Sequence, residues 1–361
     1  MYLSAVGSVP TAEYWFRCFA IIKISMAIAA EHQPGAAEMS ESRRQMTALL
    51  ADCGIYRLER ALFSLTGRDR VRWLNGMVTN NVRDLAAGHG VYAFVLNAQG
   101  HIQGDLDVFH RGESLVLEIE PSQVDTLVPL LRRYIIMDKV EVEDLSGKIA
   151  VIGMAGPKCR PTLGKLGFEL PEFEGLGLIE VRWRERPITV VRGDNPCVEN
   201  YEIWLPADEL DAAWEALVEA GAVRAEAETL ESFRILCGIP KFGQDIRERM
   251  LPQETGQDRA LSFTKGCYIG QEIVERIRAR GSVHRRFVGF EVEGAAPPAG
   301  TKVQYQGKDV GEISSVMAAA LNKKRLALGF MRREVMEPGR TFTAGEATVT
   351  PVSLPFPGIF P

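Results

Sequence analysis

Between Val91 and Phe109 the sequence leaves little choice but a β-hairpin. Val91 to Leu96 is an apolar, strand-forming run. Asn97-Ala98-Gln99-Gly100 follows as a tight turn, with Gly100 suited to positive φ. His101 to Phe109 then alternates strictly. Ile102, Gly104, Leu106 and Val108 fall on one face, and Gln103, Asp105, Asp107 and Phe109 on the other. A hairpin this long demands further antiparallel strands and a layer of helix over its apolar face.

The neighbouring segments supply both. Ile55-Tyr56-Arg57-Leu58 and Ala61 to Leu65 read as short strands, and Asp69 to Met77 as a helix with Val71, Leu74 and Met77 on one side. Asn80-Asn81 is a turn signal. Leu115 to Ile119 is a strand, Pro121 opens a helix, and Val140 to Val142 closes a β-β-β-α-β unit. A second unit of the same kind follows. Its strands are Ile149 to Met154, Leu178 to Trp183, Ile188 to Val191 and Tyr201 to Leu205, and its helices Pro157 to Leu166, Asp208 to Ala220 and Ala227 to Leu236. Beyond Gly281 short strands punctuated by Gly and Pro read as an antiparallel barrel, with an extended tail from Leu354.

The expected fold class is α+β, with two ferredoxin-like antiparallel-sheet units around a central cavity and a C-terminal antiparallel β-barrel. The expected divisions are residues 1–46 as a leader or over-long start without fixed structure, 47–145 as the first unit, 146–281 as the second, and 282–361 as the barrel.

The first 46 residues stand apart. Tyr14 to Ile24 is apolar but broken by Arg17 and Lys23, too short and too charged for a membrane span. Ala27-Ile28-Ala29 has cleavage-like spacing, and Glu13 is the only acid in the first thirty residues, as in an organellar leader. The favoured reading is an over-long start, with translation from Met26, Met39 or Met46, and a loose linker over Glu31 to Ser42. The formal net charge of -5 argues against bulk attraction to nucleic acid or anionic membrane. Six scattered cysteines without a Cys-x-x-Cys pair make neither a disulfide framework nor a zinc site, and only five histidines are present. The expectation is a reducing compartment and no resident metal.

The densest chemistry lies in Lys265-Gly266-Cys267-Tyr268-Ile269-Gly270-Gln271-Glu272, followed by an amphipathic run through Ile273, Val274 and Ile277. A nearby ammonium and a helix N-terminus both favour thiolate, so Cys267 has the surroundings of a reactive cysteine and Lys265 those of its tuning cation. The plain alternative is a small buried hydrophobe. Gln271 and Glu272 equally suit a helix first turn.

This octet resembles the Lys-Gly-Cys-Tyr-x-Gly-Gln-Glu signature of the YgfZ family of folate-binding proteins, which includes iron–sulfur assembly factors. That family is a branch of the aminomethyltransferase (glycine-cleavage T-protein) superfamily. Phe233 to Pro240, Leu251-Pro252-Gln253-Glu254 and Leu261-Ser262-Phe263 fit the same resemblance, which spans roughly residues 47–350. It implies tetrahydrofolate, or a one-carbon derivative, as cofactor. It also implies Cys267 and Lys265 as reactive residues, and Asp105, Glu202, Arg234, Tyr268, Gln271 and Glu272 as folate-binding ones.

Residue chemistry gives each a second reading. Asp105 is otherwise a solvated strand acid, and Gly104 stands where T-proteins carry the first of two adjacent acids. Glu202 suits a pterin edge, since adjacent N–H donors match two carboxylate oxygens, but it also reads as an outward residue beside a core Trp204. Arg234 suits the carboxylates of a folate tail, or pairs on its helix with Glu231 or Glu228. Arg276, Arg278, Arg280, Arg285 and Arg286 read as a solvated face or a partner contact.

The function implied by the resemblance is tetrahydrofolate binding in support of iron–sulfur cluster assembly or repair in client enzymes, among them radical-SAM tRNA-modifying enzymes. The implied partners are folate and iron–sulfur client or assembly proteins, without direct nucleic-acid or membrane contact. The implied location is cytoplasmic, or the mitochondrial matrix if the N-terminal segment is a transit peptide. The enzyme alternative is a folate-dependent aminomethyl or one-carbon transferase. A third reading is a folate-sensing regulator with a structural Cys267.

Overall fold

The computed structural model describes residues 41–281, 283–318, 325–337 and 339–356. The leader-like stretch and the start alternatives at Met26 and Met39 lie outside the described residues. Helix α1 (Glu41–Ala51) is the first described element. It buries Met46, Leu49 and Leu50, one face at helical spacing. The expected leader boundary at residue 46 therefore falls inside a packed helix, and the folded part begins earlier than Leu49.

Strands β1 (Gly54–Arg57) and β2 (Ala61–Thr66) follow, then α2 (Arg70–Met77). The hairpin is β3 (His89–Leu96) and β4 (Ile102–His110), and β5 (Leu115–Ile119), α3 (Val124–Arg133) and β6 (Glu141–Asp144) complete the first unit. Its sheet has the order β3-β4-β5-β2-β6. Leu74 of α2 and Leu127 and Leu131 of α3 pack against Leu106, Val108 and Leu117 on one face. The second unit contains β7 (Ile149–Ala155), α4 (Cys159–Lys165), β8 (Leu178–Trp183), β9 (Arg186–Arg192), β10 (Asn200–Pro206), α5 (Leu210–Glu219), β11 (Val223–Arg224) and α6 (Ala227–Leu236). Its sheet has the order β11-β1-β7-β10-β9-β8.

Strand β1, expected in the first unit, belongs to the second sheet, parallel to β11 and antiparallel to β7. Packing decides this. Ile55 is fully buried with Ile152 and Met154 beneath the second sheet. On the opposite face the Tyr56 ring lies over Gly153, where an added Cβ would come within 2.1 Å of it. Only glycine leaves room for that ring.

After α7 (Gln271–Arg280), strands β12 (Arg285–Glu293), β13 (Lys302–Tyr305), β14 (Lys308–Val316), β15 (Arg325–Arg332), β16 (Phe342–Ala344) and β17 (Ala347–Val352) close into a six-stranded antiparallel barrel. The two ferredoxin-like sheets and the barrel match the expected fold class. The tail is less free than expected: Phe356 is 2% exposed and sits against Gly289, while Leu354 meets Gly238.

Arg234, on α6, joins the second unit to the barrel. Its Nε and Nη2 grip both oxygens of Glu231 (3.0 and 2.6 Å), Nη1 reaches Ile239 O and Asp245 (2.5 and 2.7 Å), and Nη2 also reaches Ser315 Oγ (2.8 Å). A guanidinium has five N–H donors, and all are spent. The ion-pair reading with Glu231 is the one realised, and no donor remains for a folate tail. Asp245 is fully buried and also accepts from Ser314 Oγ, Ser315 Oγ and the Lys241 N–H.

Removing one partner of a buried pair strands the other charge. Asp245→Ala is therefore expected to cost about 3–5 kcal/mol in urea denaturation. A loss below about 1 kcal/mol would show that Arg234 does not depend on it.

Candidate functional site

The two sheets face each other. Phe109, Leu62 and Val116 of the first meet Val151, Val191 and Trp204 of the second in an apolar seam. The Phe109 and Trp204 rings meet edge to face, 5.0 Å apart. Strand alternation carries the same faces onward into polar residues. In the first sheet, cross-strand pairing sets Tyr92, Asp107, Glu118 and Leu62 in one row. Asp105 lies two residues along β4, on the same face. In the second sheet Tyr56, Gly153, Glu202 and Val191 form the matching row.

Contacts tie these rows together. Arg60 Nε donates to Glu118 at 2.8 Å, and Trp204 Nε1 to Glu202 at 3.0 Å. Across the two sheets the Glu202 charge acts on Glu118. Tyr92 donates its hydroxyl to Asp105 at 2.5 Å. The Arg259 guanidinium lies 4.4 Å from the Tyr92 ring centre and pairs with Asp194. Glu118 is buried, whereas Tyr56, Tyr92, Asp105, Asp107 and Glu202 keep partial exposure. The polar end is thus open to a ligand while the seam is closed.

Four carboxylates around Arg60 are more negative charge than this space holds easily. Burial pushes Asp107 up to about 7, with Arg259 opposing and Glu202 adding to the rise. Burial and then the Glu202 charge push Glu118 well above the usual carboxylate range, against the pull of Arg60. Burial also raises Asp105, against hydrogen bonds from Tyr92 and Gln123.

Gln123 explains Gly104. Gln123 is 1% exposed; its Oε1 accepts the Asp105 N–H at 2.9 Å and its Nε2 donates to Asp105 Oδ1 at 2.7 Å. A Cβ at residue 104 would stand 2.9 Å from Gln123 Oε1 and 3.0 Å from Leu127. Position 104 faces α3, away from the second sheet. Gly104 therefore removes no acid from the facing surface, where Asp107 joins Asp105. As an argument against transferase chemistry it carries no weight.

The signature octet lies against the C-terminal end of α2. Lys265 is 8% exposed, and its Nζ donates to the carbonyls of Asn75, Val78 and Asn80 at 2.6, 2.6 and 2.7 Å. Helix ends leave such carbonyls without partners, and here a buried ammonium satisfies them. Burial, then Arg83, pushes Lys265 down to about 7. A neutral amine has only two hydrogens for three acceptors, so the geometry favours the charged form. Lys265 holds the loop in place. With all three donors given to these carbonyls, Lys265 makes no hydrogen bond to Cys267.

Cys267 is exposed. Its loop precedes α7 by way of Gly270, whose φ is 84° and where a Cβ would stand 2.6 Å from Asn97 O. Glycine is required there on both counts. The hairpin turn that opens β4 and the helix that follows Cys267 are thus in direct contact. Arg83 is the cation beside Gly266. Tyr268 is buried beneath Lys265, 4.9 Å from ring centre to Nζ, and its hydroxyl has no partner among the described residues. Gln271 and exposed Glu272 occupy the first turn of α7. The structure therefore gathers Asp105 and Glu202 into one site, places Cys267 on the neighbouring loop, and commits Arg234 and Lys265 elsewhere. In the arginine cluster, Arg278 covers Phe263 and Arg285 pairs with Glu254.

Tyr56, Arg60, Tyr92, Asp107, Glu118, Gln123 and Arg259 were not singled out by sequence. Asp107 carried a signal, sharing the alternation of Asp105, and so did Glu118, an acid inside an apolar strand. The others are brought in by sheet pairing alone. Among the described residues no group of three or more His, Cys, Asp or Glu is arranged to hold a metal ion.

Comparison with known proteins agrees with this architecture. Residues 37–265 match the GCVT N-terminal domain, and residues 285–356 the glycine cleavage T-protein C-terminal barrel domain. The chain belongs to the glycine-cleavage T-protein superfamily. Within it, the chain is a YgfZ-type member. It is 29% identical over 304 residues to the tRNA-modifying protein YgfZ of Yersinia pestis, covering 80% of this chain and 86% of that one. It is 25% identical over 322 residues to an aminomethyltransferase of Rippkaea orientalis, 84% of each. A chloroplastic protein of Arabidopsis thaliana to which a transferase role is ascribed is 24% identical over 297 residues, 78% of this chain and 66% of its own length. The aminomethyltransferase T of the Bartonella henselae glycine cleavage system shares the fold, with a TM-score of 0.78 at 19% identity over 87% of this chain and 88% of that one.

Lys265→Met should expose the consequence of losing the α2 cap. Three carbonyls, two of them buried, lose their donor, and stability is expected to fall by roughly 2–4 kcal/mol in urea unfolding. A change within about 0.5 kcal/mol would remove the capping role.

Proposed function

We propose that the protein binds tetrahydrofolate between its two sheets and supports assembly or repair of iron–sulfur clusters in client enzymes, including radical-SAM tRNA-modifying enzymes. The observation that carries the ligand reading is the convergence of Asp105 and Glu202 from opposite sheets onto one polar space. A reduced pterin presents amino and ring N–H groups, and carboxylates are the acceptors that match them. The Tyr56 and Tyr92 rings supply flat apolar surface beside those acceptors. Asp105 is fixed by Gln123 and Tyr92, and Glu202 by Trp204, so both are oriented in advance. Bound tetrahydrofolate would supply a one-carbon carrier.

The client reading rests on the complete signature, on the exposure of Cys267, and on the tRNA-modifying name of the Yersinia relative. An exposed thiol next to a folate site can reach a partner protein, either as nucleophile or as a transient ligand of a cluster being delivered. The proposed partners are accordingly folate and iron–sulfur client or assembly proteins. The proposed location is the cytoplasm, or the mitochondrial matrix if the N-terminal segment acts as a transit peptide. Among the described residues no helix is long and apolar enough to cross a membrane. The second reading, a tetrahydrofolate-dependent aminomethyltransferase, is favoured by the Rippkaea relative and by Asp105, which Asp107 joins on the same strand face.

Calorimetric titration with tetrahydrofolate tests the ligand. Glu202→Ala is expected to weaken binding at least about tenfold, and Cys267→Ser to leave it unchanged while support of client cluster enzymes is lost. Undiminished client support by Cys267→Ser would refute the thiol's role. Formation of methylene-tetrahydrofolate from an aminomethylated lipoyl carrier would instead establish the transferase.

A further inference from the structure

We propose that Asp107, Glu118 and Glu202 form a proton-sharing carboxyl cluster organised around the single guanidinium of Arg60, and that a ring rich in N–H donors displaces the shared proton on entering the site. Only the displacement rests on the folate reading. The sharing follows from the ligand-free geometry.

Three observations converge on it. Asp107 and Glu118 are directly paired neighbours on β4 and β5, so their side chains leave the sheet side by side. Glu118, 3% exposed, feels the charge of Glu202 from the opposite sheet. Neighbouring carboxylates repel, and the repulsion is relieved when one of them carries a hydrogen. The cation within the cluster is Arg60, bound to Glu118 at 2.8 Å. One guanidinium cannot neutralise three carboxylates.

The groups facing the cluster do not change this balance. From β1 comes the Tyr56 phenol, held neutral by burial and by Glu202. From β3 comes the Tyr92 phenol, likewise neutral and bonded to Asp105, the fourth acid. From the loop before the signature comes Arg259, which faces Asp107 but is already paired with Asp194. The surroundings therefore favour keeping a hydrogen in the cluster near neutrality, and Asp107, pushed up to about 7, is the member poised to lose it.

The exchange balances. A carboxyl O–H gives its proton to water or buffer, and the freed oxygen lone pair accepts a ligand N–H instead. An oxidised pterin, which presents lone pairs where the reduced ring presents N–H, gains less from such acceptors. The cluster thus points to reduced, donor-rich rings.

The sign of the pH effect is fixed. A carboxyl raised in the folded state contributes stability that is complete below its unfolded pKa and is lost as pH rises through its folded pKa. Wild type should therefore lose stability between about pH 4 and about pH 7 through this cluster. Asp107→Asn keeps the neutral form at every pH. It should melt about 2–4 °C above wild type near pH 8 and within about a degree of it near pH 5. Glu118→Gln provides a second variant should the first fold poorly, with the same direction expected. Wild-type and variant melting curves that run parallel across this range would overturn the proton sharing.

The displacement is read separately. Tetrahydrofolate is titrated near neutral pH in phosphate and in Tris, whose heats of ionisation differ. The apparent enthalpies should differ by the equivalent of roughly one proton released, and by less in Asp107→Asn. Equal enthalpies in both buffers would refute displacement. Absence of binding alongside the expected melting behaviour would overturn the folate reading and the displacement with it, while the proton-sharing cluster would stand.

Discussion

The structure depends on how two sheets meet. Phe109 and Trp204 close a small apolar seam, and along the same strand faces the residues turn polar within two positions. Because strand side chains alternate with a period of two, the seam fixes which residues look into the polar end. Phe109 dictates Asp107 and Asp105; Trp204 dictates Glu202. The charges are not buried by choice of any one strand. They are delivered there by apolar residues that must touch, and Arg60 with two tyrosines makes the arrangement tolerable. A site made this way is preorganised by packing well outside it.

The signature loop has a different logic. Its lysine is occupied in closing the end of α2, its tyrosine in packing beneath that lysine, and its second glycine in letting the backbone pass the Asn97 carbonyl. Its exposed side chains are Cys267 and, on the first turn of α7, Glu272. Most of the octet is therefore explained as the means of presenting one thiol at a set place, with the hairpin turn of β3 and β4 on one side and α7 on the other. Proximity of a cation in sequence was a poor guide to its partner in space. Lys265 turned to carbonyls, and Arg83, distant in the chain, stands beside the loop.

The fold was largely legible because its signals are local. Alternation gave β4, apolar runs gave β3 and β5, and spaced apolar residues gave α5. Two assignments failed for the same reason. Strand β1 has too few residues to show which sheet it will join, and its choice is made by a glycine nearly a hundred positions away, Gly153. Helix α1 hid behind polar residues because its apolar stripe is narrow. Asp105 and Glu202 were named by the family resemblance, since residue chemistry alone left each also readable as an outward strand acid. The site was not legible where partnership depends on strand order: nothing near Arg60 in sequence indicates Glu118, and Gly104 appeared to be a lost acid until Gln123 was seen in its place.

The central claim is that tetrahydrofolate sits between the sheets. Amide hydrogen exchange with and without tetrahydrofolate tests it most directly. The account predicts new protection in β4, β5 and β10, around Asp105, Asp107, Glu118 and Glu202, with the barrel strands unchanged. Protection confined to the barrel, with those strands exchanging as before, would contradict it.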